Sequence, residues 1–264
     1  MDPLGERLNS VTVRQFASGA VTWACETQAQ NALANAIRWY EGPIGKREAA
    51  SFYVSELERA DPSHPLLLVR KARDAKARGD HAGYLELLLR ALERTPTPKE
   101  RLHLHLAVGE AHRIPTEAFR HFEAAIEIDP RSLDALSAFE RAALRFDRYP
   151  EVEWALRQLV EHAEGQSRVD AYLRLADLLE KRFLKREDAA EVLRELLVIV
   201  PDHAGAYASL ERCYLALRDY PRLVEAAVAR AERSFGAKER GEAFAVAAEI
   251  AETKLGDQVT AAEH

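Results

Sequence analysis

Internal repetition is the feature that most constrains the fold of this chain. Moving the segment LERCYLALRDYPRLV back by 71 positions superimposes it on FERAALRFDRYPEVE, so that Tyr220-Pro221 falls on Tyr149-Pro150. A shift of 72 positions places Ala261-Ala262 on Ala189-Ala190. A fixed period of this kind is typical of a repeat array, in which each unit packs only against its neighbours.

The repeating unit has the pattern of helical hairpins. Apolar residues recur at spacings of three and four, which indicates amphipathic helices. Turn signals such as Gly79-Asp80 separate them, and connections this short make neighbouring helices antiparallel. Since no segment alternates with period two and is enriched in β-branched residues, the sequence predicts almost no strand. The predicted fold class is therefore all-α, an α-solenoid of stacked antiparallel helix pairs.

The helix pairs divide the chain into about six and a half repeats. Residues 1–30 are predicted to form an N-terminal capping helix, because Val13, Phe16 and Ala20 lie on one helical face. The repeats are assigned to residues 31–62, 63–97, 98–130, 131–166, 167–201, 202–237 and 238–264. The seventh stops shortly after its second helix begins, so we expect a fragment or a truncated array.

The individual repeats resemble tetratricopeptide repeats, and the array is similar to long bacterial proteins of that class. In the third repeat, Leu106-Ala107, Ala118, Phe122, Ala125 and Pro130 match the consensus pattern of small and large residues. The sixth repeat matches at Leu210, Tyr214 and Tyr220 but departs from the consensus at Glu211, where a small residue is expected, and at Leu223, where alanine is expected. The resemblance implies a right-handed superhelix with a concave groove.

Composition excludes several classes of protein. The chain is 47% hydrophobic and 30% charged, which suits a packed helical protein rather than a disordered one. A net charge of −6 argues against non-specific nucleic-acid binding, which depends on lysine and arginine. Neither a signal peptide nor a run of about 18 apolar residues is evident, so we expect a cytoplasmic protein without membrane insertion. Cys25 and Cys213 lie far apart in a linear array and are not expected to form a disulfide.

No pattern of catalytic or metal-binding residues is evident. His103, His105, His112 and His121 cluster in one repeat, but their spacing does not place two imidazoles one helical turn apart with a third ligand. There is no HExxH or CxxC motif and no glycine-rich phosphate loop. We therefore predict a chain that is not an enzyme and has neither a cofactor nor a metal.

The resemblance implies that outward positions of the first helix of each repeat line the concave groove. These positions are rich in arginine, which binds carboxylates in bidentate fashion. The candidate partner-binding residues are Asn35, Arg38, Arg70, Arg73, Arg101, His105, Arg141, Arg145, Arg174 and Arg212. The hypothesis is that this groove binds an extended or helical acidic peptide. The alternative is that the arginines pair with nearby carboxylates, as Glu140 with Arg141 and Glu211 with Arg212.

The sequence thus favours a non-catalytic scaffold that binds a protein or peptide partner. Two other functions remain open at this point. One is a structural module that self-associates, and the other is a docking region of a larger multidomain protein. A repeat fold hosts many roles, so the sequence does not choose among them.

The small consensus residues generate the first prediction. Where paired helices cross closely, a larger side chain has no room. Replacing Ala118 or Ala189 by leucine should therefore destabilise the fold by about 1–3 kcal/mol. Thermal unfolding followed by circular dichroism measures this loss. Melts that are unchanged for both variants would contradict the assignment of the helix crossings.

Overall fold

The structure is a computed structural model that describes residues 19–233 and 236–255. All regular elements in these ranges are helical, so the all-α prediction is confirmed. Thirteen α-helices follow one another and are succeeded by a short π-helix, Ala251–Leu255, in the described part of the chain. Their bounds are α1 Gly19–Glu41, α2 Arg47–Ala60, α3 Pro65–Ala77, α4 His81–Arg94, α5 Pro98–Ala111, α6 Pro115–Ile128, α7 Leu133–Arg145, α8 Tyr149–His162, α9 Gly165–Lys181, α10 Arg186–Ile199, α11 Ala204–Leu217, α12 Tyr220–Arg233 and α13 Ala237–Ile250.

The chain divides into two compact units, residues 1–114 and 115–264. Most of the predicted capping helix, including Val13 and Phe16, lies outside the described residues, as does the end of the seventh repeat after residue 255. None of the described helices is both long enough and apolar enough to span a membrane.

The first unit buries its apolar side chains in two successive clusters. Ile37 of α1, Leu57 of α2 and Leu67 of α3 belong to the first cluster. Leu68 of α3 points into the second, which also contains Leu88 of α4 and residues of α5. Because neighbouring residues of α3 contribute to both clusters, this helix joins one helix pair to the next.

The second unit continues the same arrangement from α6 to α13, where each helix packs against the next. Its fully buried side chains include Leu136, Leu156 and Leu175 on three successive helices. Ala118 and Ala189, the small consensus residues, are both 0% exposed. A larger side chain at either position would therefore have to displace packed neighbours.

The turn inside a helix pair uses a left-handed residue at five places in the described chain. Glycine occupies it in two of them, Gly45 between α1 and α2 with φ of 68° and Gly79 between α3 and α4 with φ of 76°. Between α7 and α8, α9 and α10, and α11 and α12 the residues are Asp147, Leu184 and Arg218, with φ of 55°, 55° and 59°. Side chains disfavour this conformation because the Cβ atom approaches the following carbonyl oxygen. These turns therefore carry some backbone strain.

Leu184 is the residue at which this strain is most easily relieved, because its side chain is 63% exposed and contributes little packing. Replacing it by glycine removes a conformational cost of about 1 kcal/mol, partly offset by the greater freedom of glycine in the unfolded chain. We expect Leu184→Gly to raise the free energy of unfolding by about 0.5 kcal/mol in urea titrations. Gly79→Ala at the corresponding turn should lower it. A less stable Leu184→Gly variant would contradict this interpretation.

Candidate functional site

Each unit contains a cleft lined mainly by the first helices of the helix pairs, which we call the A helices: α1, α3, α5, α7, α9 and α11. The second-unit cleft has a volume of about 850 Å³. Its floor is apolar and includes Leu144 of α7, Val152 of α8 and Leu173 of α9. Its charged lining residues are Glu140, Asp147, Arg174, Asp177, Glu180, Lys181, Arg182 and Arg212.

Ion pairs connect adjacent A helices across this cleft. The Arg174 Nη1 atom of α9 donates to both carboxylate oxygens of Glu140 on α7, at 2.8 and 2.6 Å. One step along the array, Arg212 of α11 donates to Glu180 of α9 through Nε at 2.7 Å and through Nη2 at 2.8 Å. This second arrangement is the bidentate geometry that fixes a guanidinium and a carboxylate in one orientation.

The two partners in each pair differ in depth. The side chains of Glu140 and Glu180 are 2% and 12% exposed, whereas those of Arg174 and Arg212 are 49% and 51% exposed. The carboxylates therefore lie beneath the guanidinium groups, and the guanidinium groups face the cleft. A ligand entering the cleft would meet N–H donors before it met either carboxylate.

Burial sets the electrostatics of these pairs. Desolvation raises the pKa of Glu140, and the neighbouring Arg174 opposes this by stabilising the charged form. The hydrogen bond with Glu180 raises the pKa of Arg212. Each arginine is held over a carboxylate of the neighbouring A helix.

Glu211, which departs from the tetratricopeptide consensus, is part of a different pair. Its carboxylate lies 3.1 Å from the Nε atom of Arg230 on α12, although the two groups are not aligned as a hydrogen bond. Burial raises the pKa of Glu211, and the charge of Arg230 opposes the shift. The consensus expects a small residue at this position. The carboxylate of Glu211 is tolerated there because the charge of Arg230 on the paired helix offsets part of the cost of burying it.

The remaining charged residues around the second-unit cleft contact groups of their own neighbourhood. Lys181 forms an ion pair with Asp177 on the same helix. Asp147 accepts a hydrogen bond of 2.9 Å from the Tyr149 hydroxyl, and the Arg182 guanidinium lies 4.9 Å from the centre of the Tyr149 ring. With four acidic and four basic side chains, the lining of this cleft has no net formal charge.

The first-unit cleft is smaller, about 400 Å³, and is built from α1, α3, α4 and α5. Its floor contains Leu66, Val69 and Leu104. Arg38 of α1 pairs with Glu100, and Arg70 of α3 pairs with Glu41. Asn35 accepts a hydrogen bond of 3.1 Å from Arg38 and so helps to position it.

Arg73 distinguishes the first-unit cleft. It is exposed, lines the cleft, and forms no ion pair with any of the residues described for this unit. The lining thus has three arginines, Arg38, Arg70 and Arg73, against Glu41 and Glu100. This cleft therefore has an excess of one positive charge when His103 is neutral.

The structure brings together some of the predicted groove residues and separates others. Asn35, Arg38, Arg70 and Arg73 gather at the first-unit cleft, and Arg174 and Arg212 at the second. Elsewhere, Arg101 and Arg141 are exposed but line neither cleft, and the Arg145 guanidinium lies 4.3 Å from the centre of the Phe146 ring. His105 is buried, with only 9% of its surface exposed.

Sequence reasoning missed the acidic partners. It suggested that Glu140 pairs with Arg141 and Glu211 with Arg212, but the partners in the structure are Arg174 and Arg230. The alternative that groove arginines pair with nearby carboxylates is therefore supported for Arg174 and Arg212, with other partners. A charged residue at a small consensus position was the one available signal, and Glu140 carries it as well as Glu211.

The histidine, cysteine and acidic residues of the described chain were the candidates for metal binding and for nucleophilic chemistry. The described residues contain no group of three or more histidine, cysteine, aspartate or glutamate residues placed to hold a metal ion. The Cys213 thiol is buried, and burial raises its pKa to about 11. A thiol with so high a pKa is protonated near neutral pH and is a poor nucleophile.

Comparison with known proteins finds similar chains among solved structures. No protein-family model matches the sequence, and no curated protein matches it. Among solved structures, MamA is similar at 18% identity, covering 74% of this chain and 96% of MamA with a TM-score of 0.44. YrrB, a TPR protein with an unusual peptide-binding site, is 14% identical over 72% of this chain and 96% of YrrB, with a TM-score of 0.47.

A tetratricopeptide repeat protein from Parabacteroides merdae is 17% identical over 89% of this chain and 98% of its own length, with a TM-score of 0.43. Likenesses at this level carry no argument about function. The resemblance of this chain to tetratricopeptide repeats lies in its consensus residues and in the packing of successive helices.

The buried carboxylate of Glu140 generates a prediction about pH. Because the folded state raises its pKa, Glu140 stabilises the fold below the ordinary glutamate pKa of about 4.3, and this contribution is lost as pH rises through the raised value. We therefore expect the wild type to gain stability relative to Glu140→Gln as pH falls from about 7 to about 4. Urea midpoints of the two proteins at each pH measure the difference.

The comparison with Glu140→Gln isolates this carboxyl, because the contribution of Glu211 is present in both proteins and cancels. The prediction is wrong if the difference in stability between the two proteins does not change with pH, or if the glutamine variant gains stability relative to the wild type as pH falls. Either result would show that the effect of Arg174 on the pKa of Glu140 outweighs that of desolvation.

Proposed function

We propose that this chain is a non-catalytic scaffold that binds a peptide or helix of a partner protein on its A-helix faces, and that the first-unit cleft prefers an acidic segment. The observation that carries the proposal is Arg73, an unpaired guanidinium over an apolar floor. Pockets that combine apolar walls with a few polar groups are the usual form of a binding site.

The neighbouring ion pairs make Arg73 the natural partner for an acidic group. Arg38 and Arg70 are already held by Glu100 and Glu41, so a carboxylate from a ligand would gain most from Arg73. Charge-assisted hydrogen bonds of this kind are roughly twice as strong as neutral ones. Asp74 lines a separate hollow with Glu41, Arg70 and Arg73.

The proposed recognition is local rather than long-range. The whole chain has a net charge of −6, which repels an acidic ligand at a distance. Within about 8 Å at physiological salt, the ligand experiences mainly the arginines of the cleft. The apolar floor of Leu66, Val69 and Leu104 would meanwhile hold an aliphatic side chain next to the acidic one.

Self-association is the second candidate function, and one observation favours it. Val198 and Ile199, adjacent at the end of α10, are 82% and 47% exposed. Exposed apolar pairs of this kind are frequent in contacts between proteins. Size measurements at several concentrations distinguish self-association from peptide binding, because only self-association depends on the concentration of the chain alone.

A selection from a phage-displayed library of random peptides tests the acidic preference. Peptides that bind the wild-type chain are synthesised, and their affinities are measured by fluorescence anisotropy. We expect one class to be rich in aspartate and glutamate, and Arg73→Gln to weaken it about tenfold, since a charge-assisted hydrogen bond contributes about 1.5–3 kcal/mol.

Arg78→Gln is the matched control, because it removes the same charge from an exposed position just after α3 that does not line the cleft. The proposal fails if no acidic peptides are selected, or if Arg73→Gln and Arg78→Gln weaken them equally.

A further inference from the structure

The second-unit cleft differs from the first in that its charges cancel. Glu140 and Glu180 lie under Arg174 and Arg212, Lys181 pairs with Asp177, and Asp147 and Arg182, which contact the Tyr149 side chain, contribute one charge of each sign. An acidic ligand would find no excess positive charge here. It would have to give up its hydration next to two carboxylates that already hold the nearest guanidinium groups, which is a net cost.

The same two arginines still offer hydrogen-bond donors. Arg174 uses Nη1 for Glu140 and Nε for the Asp170 carbonyl oxygen at 3.4 Å, and Nη2 has no acceptor in the described part of the unit. Arg212 uses Nε and Nη2, so its Nη1 has none there either. Both side chains are about half exposed. These donors suit a neutral acceptor, which loses less hydration than a carboxylate does.

The floor beside these donors is apolar. Leu144 is 46% exposed although it belongs to a helix that is otherwise well packed, and it lines the cleft with the half-buried Leu173. Covering such a surface with an apolar side chain stabilises a complex by roughly 25 cal/mol for each Å² removed from water. A volume of about 850 Å³ accommodates several side chains of a polypeptide.

We propose that the second-unit cleft is a separate binding site for a polypeptide segment that lacks acidic residues. An apolar side chain of the segment covers Leu144 and Leu173, and its backbone carbonyl oxygens accept hydrogen bonds from Arg174 and Arg212. This inference rests on the proposed scaffold function but not on the acidic preference of the first-unit cleft. The chain then has two sites of different chemistry, one in each unit.

The test uses the full chain carrying Arg73→Gln, so that the first-unit cleft does not dominate selection from a random phage-displayed peptide library. We expect selected peptides that are poor in aspartate and glutamate. Their affinity should change less than about twofold between low and physiological salt, because no net charge is neutralised on binding. Fluorescence anisotropy with the synthetic peptides measures both properties.

Leu144→Lys locates the site, because it replaces the exposed floor side chain by a charged one in the last turn of α7, where lysine suits a helix. We expect it to weaken these peptides at least tenfold. Leu215→Lys is the matched control: Leu215 lies 71 positions later at the equivalent place on α11, is 56% exposed and does not line the cleft. It should leave the affinities unchanged.

Glu140→Gln tests the cause of the neutral preference. It leaves Arg174 without its carboxylate, so the cleft gains one positive charge and should begin to select acidic peptides whose affinity falls with salt. Glu187→Gln removes the same charge at an exposed position outside the cleft and should not do so.

Three results would overturn the inference. The first is that the chain with Glu140 intact selects acid-rich, salt-sensitive peptides whose binding depends on Leu144. The second is that no selected peptide depends on Leu144 for binding. The third is that Glu140→Gln and Glu187→Gln have equal effects on the peptides selected. Each leaves the first-unit proposal standing if acidic peptides that depend on Arg73 are selected by the wild type. Loss of both peptide classes would instead end the scaffold proposal.

Discussion

The rest of the structure depends on the fact that no helix pair of this array can bury its apolar face alone. Each helix in the second unit packs on the next, and in the first unit the two sides of α3 belong to successive clusters. The hydrophobic effect therefore acts between neighbours along the chain, as in other repeat proteins. One consequence is that, within each unit, the A helices stand side by side, and their outward residues form a row on which a cleft can develop.

Ion pairs are the second kind of contact between neighbouring A helices, and they determine the charge of the clefts. A buried carboxylate is costly without a partner, and Glu140 meets this cost through Arg174 of the next A helix. The pair contributes less to net stability than its short distances suggest, because both groups lose hydration. The clearer effect of the pair is on Arg174. Glu140 orients the guanidinium and cancels its charge, so that the cleft has N–H donors without an excess of positive charge.

Periodicity alone was enough to predict the helices, because each repeat shows the spacing of threes and fours that marks a packed helical face. The ion pairs between neighbouring A helices were harder to predict. Glu140 and Arg174 are 34 positions apart, and their contact depends on how one A helix is rotated against the next, which sequence spacing does not determine.

The left-handed turn at Leu184 was equally hidden, since leucine gives no signal of that conformation. His105 is another residue whose environment the sequence did not indicate. Its position in the repeat favoured the open groove, but the rotation of α5 buries it. Arg38 and its partner Glu100 are 62 positions apart, so spacing along the chain did not indicate that ion pair either.

A row of arginines is therefore not equivalent to a basic groove. In the first unit, three arginines meet two glutamates and one charge remains, whereas in the second, four basic and four acidic side chains cancel. The difference comes from where the carboxylates lie: Glu140 and Glu180, which pair with Arg174 and Arg212, are only 2% and 12% exposed. Because buried charges persist only when paired, each such carboxylate fixes the state of the arginine above it. Changing one buried glutamate alters what the exposed surface can bind, although no ligand would touch that glutamate.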